Sequence, residues 1–127
     1  MMFDWKPEYS VGFAEIDALH QQVFHSAGEL HAAIDAGRPP EALRELLGQV
    51  LSSIRTHFEA EEALMRSSKY PETARHKAKH EAMEGILQSW ERGAVPDIEM
   101  ADTLRGALIH HIEDEDRELG RRLEGRG

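Results

Sequence analysis

Apolar residues recur every three or four positions in four separate stretches of the 127-residue chain. The first stretch carries Ile16, His20, Val23, Ala27, Leu30 and Ile34. This spacing places side chains on one face of an α-helix, whereas a half-buried β-strand would alternate apolar and polar residues. No stretch shows that alternation, so the sequence predicts an all-α fold.

Glycine and proline residues separate the four stretches and indicate where each helix ends. Gly37 and Pro39-Pro40 follow the first stretch, Tyr70-Pro71 follows the second, and Gly93 follows the third. The predicted helices run over about 16–36, 40–67, 71–92 and 97–123. Because short connections favour antiparallel neighbours, we predict one domain, 1–127, folded as an up-down-up-down antiparallel four-helix bundle. Aromatic and apolar residues in 1–14 predict an ordered N-terminal arm packed on this bundle.

Histidine and glutamate interrupt the apolar stripes on the faces that should be buried. These residues are His20 in the first helix, His57 and Glu61 in the second, His76 and His80 in the third, and His111 in the fourth. An isolated buried carboxylate is costly, and coordination of a cation offsets that cost. The sequence therefore predicts a metal site in the core of the bundle, where facing helices converge.

The residue types narrow the choice of metal. The chain has no cysteine, which excludes thiolate zinc sites and iron–sulfur clusters. Imidazole suits iron, zinc, copper and nickel, but zinc normally takes four ligands. With one acidic residue from the fourth helix, seven candidates suit two six-coordinate ions bridged by carboxylates. Iron or manganese fits this set best, and its histidine content favours iron.

The acidic residue of the fourth helix is ambiguous. In the segment HHIEDED, Asp114 points away from the core. Glu115 follows His111 by four residues, as Glu61 follows His57, whereas Asp116 follows it by five, on the far flank of the same stripe. Helix geometry alone leaves both Glu115 and Asp116 open.

Composition and charge argue against several classes of partner. Fifteen basic and 24 acidic residues give a net charge of −9, which disfavours nucleic acid and anionic membrane surfaces. No apolar run approaches the roughly 20 residues that span a bilayer. The N-terminal segment MMFDWKPEYS lacks the basic and apolar regions of a secretory signal. We therefore expect a soluble, cytoplasmic protein.

Three segments carry the candidate ligands in a fixed order: VGFAEIDALH, HFEAEEALMRSSKYPETARHKAKHE and HIEDED. Together they resemble the hemerythrins, especially the single-domain bacteriohemerythrins. The first resembles the family's helix segment ending in a ligand histidine. The second resembles its central stretch with His-x3-Glu, Tyr-Pro and His-x3-His, and the third its closing His-x4-Asp. The ordered set spans 97 residues, from His20 to Asp116, and is highly specific.

The resemblance implies a non-haem di-iron centre with an oxo or hydroxo bridge. The implied ligands are His76, His80 and His111 for one iron, His20 and His57 for the other, and Glu61 and Asp116 as bridging carboxylates. The resemblance thus selects Asp116 over Glu115. One iron would be fully coordinated, and the other would keep an open position that binds O2 in the family.

The resemblance also identifies a pocket residue and several departures. Leu108, one turn before His111, is the expected O2-pocket residue by family position. Ala107 stands where the family often has tryptophan, which is expected to open the pocket. Lys69 replaces a common glycine before Tyr-Pro, and Leu19 replaces a frequent glutamine before the first ligand.

Other polar residues are expected to take no part in the site. We expect surface positions without metal for His25, His31 and His110, and solvated positions for Glu62, Asp114 and Glu115.

The expected function is reversible O2 binding for storage, delivery or scavenging, and not catalysis. The alternatives are an oxygen or redox sensor module, and a di-iron enzyme that reduces peroxide or nitric oxide. The sequence identifies no protein partner and no reductant.

Overall fold

The computed structural model describes residues 3–93 and 95–124. Most of these residues form an antiparallel bundle of four helices. A short 3-10 helix, Pro7–Tyr9, precedes α1 (Ala14–Asp35), α2 (Pro40–Ser68), α3 (Thr73–Glu91) and α4 (Ile98–His111). A π-helical segment, Ile112–Asp116, leads directly into α5, Arg117–Glu124. Met1 and Met2 of the predicted arm and residues 125–127 of the predicted domain lie outside the described residues. The predicted four-helix bundle is confirmed.

Residues with special backbone preferences lie at the ends of α1 and α2, as the sequence indicated. Gly37 follows α1 with a φ of 69°, and Pro40 is the first residue of α2. Lys69 ends α2 in the left-handed conformation, with a φ of 54°. The N–H of Tyr70 donates to Met65 and that of Lys69 to Arg66, which is a Schellman motif. Lys69 therefore occupies the position that glycine usually takes.

The predicted apolar stripes form the core, and the N-terminal arm packs on it. Phe3, Tyr9 and Val11 are buried, and the rings of Phe3 and Tyr9 lie 6.1 and 5.4 Å from that of Phe24 in α1. The arm is therefore ordered over its described part. None of the helices within residues 3–93 and 95–124 combines the length and the apolar character that a membrane span requires.

The fourth helix of the bundle, formed by α4, the π segment and α5, differs from the single regular helix predicted over 97–123. Ile112–Asp116 is π-helical, and the N–H of Arg117 donates to the carbonyl of Ile112, five residues earlier. A π turn holds one more residue than an α turn, so residues five apart come close to the same face. Asp116 consequently lies on the face of His111. A constant 3.6-residue period could not reveal this insertion.

The arm also fixes the rotational position of α5. A Cβ added to Gly120 would lie 2.1 Å from the carbonyl oxygen of Val11, so only glycine fits there. Arg117 donates to the carbonyl of Glu8 at 2.7 Å. These contacts hold α5 against the arm, and the π segment joins α5 to α4.

Candidate metal centre

All seven predicted ligands meet in the middle of the bundle. They are His20 from α1, His57 and Glu61 from α2, His76 and His80 from α3, His111 from α4, and Asp116 from the π segment. Each is at most 6% exposed. Five imidazoles and two carboxylates thus share an interior that would otherwise be apolar, which is costly unless their charges are compensated.

The seven side chains form two overlapping groups in the described part of the chain. Glu61 and Asp116 belong to both groups. The first group adds His76, His80 and His111, and the second adds His20 and His57. Within each group the potential ligand atoms lie within 4.8 Å of one another. This overlap is what two neighbouring ions with shared carboxylates would require.

The two oxygens of Glu61 are divided between the groups. Oε1 lies 3.1 Å from Nε2 of His76 and 3.0 Å from Nε2 of His80. Oε2 lies 2.8 Å from Nε2 of His57 and 3.7 Å from Nε2 of His20. Glu61 therefore presents one oxygen to each side.

Asp116, in the π segment, divides its two oxygens in the same way. Its Oδ1 lies 2.9 Å from Nε2 of His76 and 3.1 Å from Nε2 of His111. Its Oδ2 lies 2.8 Å from Nε2 of His20 and 3.5 Å from Nε2 of His57. Both carboxylates are consequently arranged to bridge two ions, one through each oxygen.

The orientation of several of these atoms fits metal coordination better than hydrogen bonding. Glu61 Oε2, Asp116 Oδ1 and His111 Nε2 are buried and make no hydrogen bond within the described residues, although each has a neighbour within 3.1 Å. A buried polar atom without a partner costs free energy. A cation between these atoms would satisfy them, so the residues present fit a pair of metal ions.

In the metal-free centre, the two carboxylates raise the pKa values of neighbouring histidines. Burial lowers the pKa of His57, but Glu61 and Asp116 outweigh it and raise that pKa to about 10. The same balance raises the pKa of His76 and of His111 to about 9. Burial raises the pKa of Glu61, yet His57 and other imidazoles bring it well below its usual value. Positive charge between the helices thus stabilises the anionic pair.

Glu62 lies beside the centre, which corrects the expectation that it is solvated. Nδ1 of His80 lies 3.0 Å from Oε2 of Glu62, whose side chain is 22% exposed. The ring of Phe58 stacks on His80, with centroids 4.0 Å apart and planes at 13°. Glu62 follows Glu61 on the edge of α2 that faces α3. Spacing along one helix cannot reveal this contact, because it joins α2 to α3.

Glu115 is buried as well, which is a second correction. It is 3% exposed, and its Oε1 accepts from Nη1 of Arg75 at 2.9 Å. Asp114 is exposed, as expected, with 56% of its side chain accessible. The π segment therefore turns Asp116, and not Glu115, towards the histidines.

The remaining histidines lie outside the cluster. His25 and His110 are exposed, as expected. The side chain of His31 is only 12% exposed and packs against Phe3 of the arm, which corrects its expected surface position. Leu108 is buried one turn before His111, and its role in an O2 pocket stays a prediction. A cleft of about 190 Å³ lies between α3 and α4, and Ala107 and His111 are among its lining residues.

Comparisons with known proteins agree with this arrangement. The family described as the hemerythrin HHE cation binding domain matches residues 11–123. A bacteriohemerythrin of Methylococcus capsulatus is 28% identical over 116 residues, covering 87% of this chain and 86% of that protein. One of Stenotrophomonas maltophilia is 27% identical over 116 residues, covering 88% and 75%. A hemerythrin-like protein of Naegleria gruberi is 30% identical over 115 residues, covering 90% and 87%.

Solved structures agree in fold. The crystal structure of a wild-type hemerythrin superimposes with a TM-score of 0.89, covering 94% of this chain and 96% of that one. At 22% identity, this likeness concerns the fold alone. Because the family match extends over residues 11–123, the chain belongs to the hemerythrin family.

Proposed function

We propose that this chain is a non-haem di-iron protein that binds O2 reversibly, for storage, delivery or scavenging. The division of the carboxylate oxygens carries the proposal, because Glu61 and Asp116 each offer one oxygen to each histidine group. Two iron ions of equal charge need such shared anions at short separation. Imidazole nitrogen and carboxylate oxygen are suitable ligands for iron.

The two groups differ by one ligand, and this difference supports a site for an external molecule. His76, His80 and His111 would hold one ion, whereas only His20 and His57 would hold the other. Glu61 and Asp116 would bridge both, together with an oxo or hydroxo group. When bound, the iron pair supplies the two electrons with which O2 binds reversibly. With one histidine fewer, the ion held by His20 and His57 would keep a coordination position for O2.

Apolar side chains around the cluster would exclude water from it. Leu108, Ile112 and Phe58 are at most 5% exposed. In the arm, the ring of Trp5 lies 6.3 Å from that of His20. A dry surrounding strengthens electrostatic interactions and limits protonation of bound species. Reversible binding, as opposed to turnover, depends on that protection.

A second candidate function is reduction of peroxide or nitric oxide at the same centre. The cleft of about 190 Å³ favours it, because Ala107 leaves open space beside His111. Small molecules and protons could then reach the metal ligands from between α3 and α4.

Iron analysis and visible spectroscopy test the leading proposal. We expect about two iron ions per chain and a coloured form in air that bleaches reversibly on deoxygenation. Sustained turnover of peroxide or nitric oxide with a reductant would favour the second function. A purified, iron-supplied protein that stays colourless and holds no stoichiometric iron would exclude both.

Substitution of a shared carboxylate tests the assignment of ligands. Glu61→Ala should abolish the paired site, because Glu61 offers an oxygen to both groups. His110→Ala is the matched control, since 82% of this side chain is exposed. Two ions retained in Glu61→Ala would contradict the bridging role.

A further inference from the structure

Arg75 binds carboxylates from three places in the structure. Its Nε donates to Glu72 at 2.8 Å, its Nη1 to Glu115 at 2.9 Å and its Nη2 to Glu118 at 2.9 Å. Glu72 precedes α3, Glu115 lies in the π segment, and Glu118 lies in α5. Arg75 therefore connects the beginning of α3 to the chain on both sides of Asp116.

Glu115 depends on this contact more than the two exposed partners do. It is 3% exposed, whereas the side chains of Glu72 and Glu118 are 46% and 50% exposed. Its second oxygen, Oε2, has no hydrogen-bond partner within the described residues. A buried charge left without its partner is strongly unfavourable. Without Arg75, Glu115 would have to find water or another cation.

The π segment makes this dependence relevant to the metal centre. The rotation of α4 is set by the burial of Leu104, Leu108 and His111, and that of α5 by the contact of Gly120 with Val11. Because both rotations are fixed, the segment between the two helices must hold one residue more than a regular α-helical turn. The position of this extra residue decides which carboxylate faces the histidines: Glu115, four residues after His111, or Asp116, five residues after it.

We propose that Arg75 is a positioning residue that, through Glu115, holds the π segment in the register that brings Asp116 into the metal centre. This inference rests on the proposed function. Loss of Arg75 releases Glu115, which then competes with Asp116 for the same cations. A register that brings Glu115 to the centre displaces Asp116, the carboxylate that both ions would share. The ion held by only two histidines is affected most.

Arg55 provides a matched control elsewhere in the bundle. It also crosses between helices, from α2 to α3, and donates to Glu84 at 2.8 Å and Glu91 at 3.0 Å. Neither glutamate is one of the seven candidate ligands. Arg55→Gln thus removes a comparable interhelical ion pair without touching the π segment.

Hydrogen exchange of the metal-free protein tests the register directly. In Arg75→Gln, the amides of residues 112–117 should exchange about tenfold faster or more, whereas Arg55→Gln should leave them unchanged. Unchanged exchange in Arg75→Gln, or equal acceleration in both variants, would overturn the proposal. This measurement needs no iron, so it decides the role of Arg75 even if the proposed function fails.

Anaerobic titration with ferrous iron tests the consequence for the centre. Arg75→Gln should bind its second equivalent about 10- to 100-fold more weakly than the unmodified chain, the range seen when the residues that keep a metal ligand in place are lost. The double variant Arg75→Gln/Glu115→Gln should recover most of that affinity, because the competing carboxylate is gone. A merely structural role of Arg75 would give no recovery and would contradict the proposal.

The double variant also guards against misfolding of Arg75→Gln, because it contains no unpaired buried carboxylate. It should fold, exchange the amides of 112–117 rapidly and still bind two ferrous ions. Slow exchange in the double variant would reject the positioning role.

Discussion

Nδ1 of His80 lies 3.0 Å from Glu62, while Nε2 of the same ring lies 3.0 Å from Glu61. An ionised carboxylate only accepts hydrogen bonds, so Nδ1 donates to Glu62. With an ion at Nε2, the proton of the ring would sit on Nδ1, and Glu62 would orient the ring by accepting from it. Nδ1 of His20, His57 and His76 has no such partner among the described residues. Glu62 therefore gives His80 an orientation that those three imidazoles must obtain from packing.

The first prediction concerns Glu62. Glu62→Ala should weaken ferrous iron binding about tenfold or more in anaerobic titrations, because His80 loses its acceptor. Glu62→Gln should have a smaller effect, since the amide oxygen still accepts. The control is Glu59→Ala, an exposed residue one turn earlier on α2. Equal affinities for Glu62→Ala and Glu59→Ala would show that His80 does not need Glu62.

The second prediction concerns pH. In the metal-free protein the pKa of His57 is raised to about 10, and those of His76 and His111 to about 9, because Glu61 and Asp116 outweigh burial. Groups with a raised pKa stabilise the fold fully below the unfolded pKa of about 6.5, and this contribution is lost as pH rises through 9 and 10. The metal-free protein should therefore lose unfolding free energy between pH 7 and 10.

Iron should change that pH dependence. Bound imidazoles are neutral, so the loaded protein has no such protons to lose, and iron competes with fewer protons as pH rises. The difference in Tm between loaded and metal-free protein should consequently grow from pH 7 to 10. Parallel Tm curves for the two forms would contradict the prediction.

The third prediction concerns the end of α2. Among the described residues, Lys69 is the one non-glycine residue with a positive φ, 54°. This conformation costs an L-residue about 1 kcal/mol or more, and glycine adopts it freely. Lys69→Gly should therefore raise the free energy of unfolding by about 1 kcal/mol in urea titrations. Lys79→Gly, in the exposed interior of α3, should lower it by about the same amount. A loss of stability in Lys69→Gly would refute the backbone argument.

The fourth prediction concerns the contact between α5 and the arm. Gly120→Ala places a Cβ 2.1 Å from the carbonyl oxygen of Val11, so the arm or α5 must move. We expect a loss of about 1–3 kcal/mol in unfolding free energy. Gly48→Ala is the control, because an added Cβ there meets nothing within 4 Å and should be neutral or stabilising by up to about 1 kcal/mol. Similar stabilities for the two variants would mean that the arm yields easily.

The sequence alone predicted much of the bundle and of the candidate centre. A 3.6-residue period locates helices and shows which histidines point inwards, because both depend on local geometry. The same period left Glu115 and Asp116 unresolved, since the π segment changes the residues per turn. The contacts of Glu62 and Arg75 could not be predicted for a different reason. Their partners lie on neighbouring helices, and no spacing along one helix encodes such a contact.

The division of Glu61 and Asp116 between two histidine groups has a consequence for iron loading. The first ion would fix one oxygen of each carboxylate and would thereby orient the other oxygen of both buried groups, at 0% exposure, for the second ion. A singly occupied chain is therefore disfavoured relative to empty and full chains. Iron binding and iron removal by a chelator should therefore be cooperative. Native mass spectra of protein supplied with one iron ion per chain should show mainly empty chains and chains with two ions.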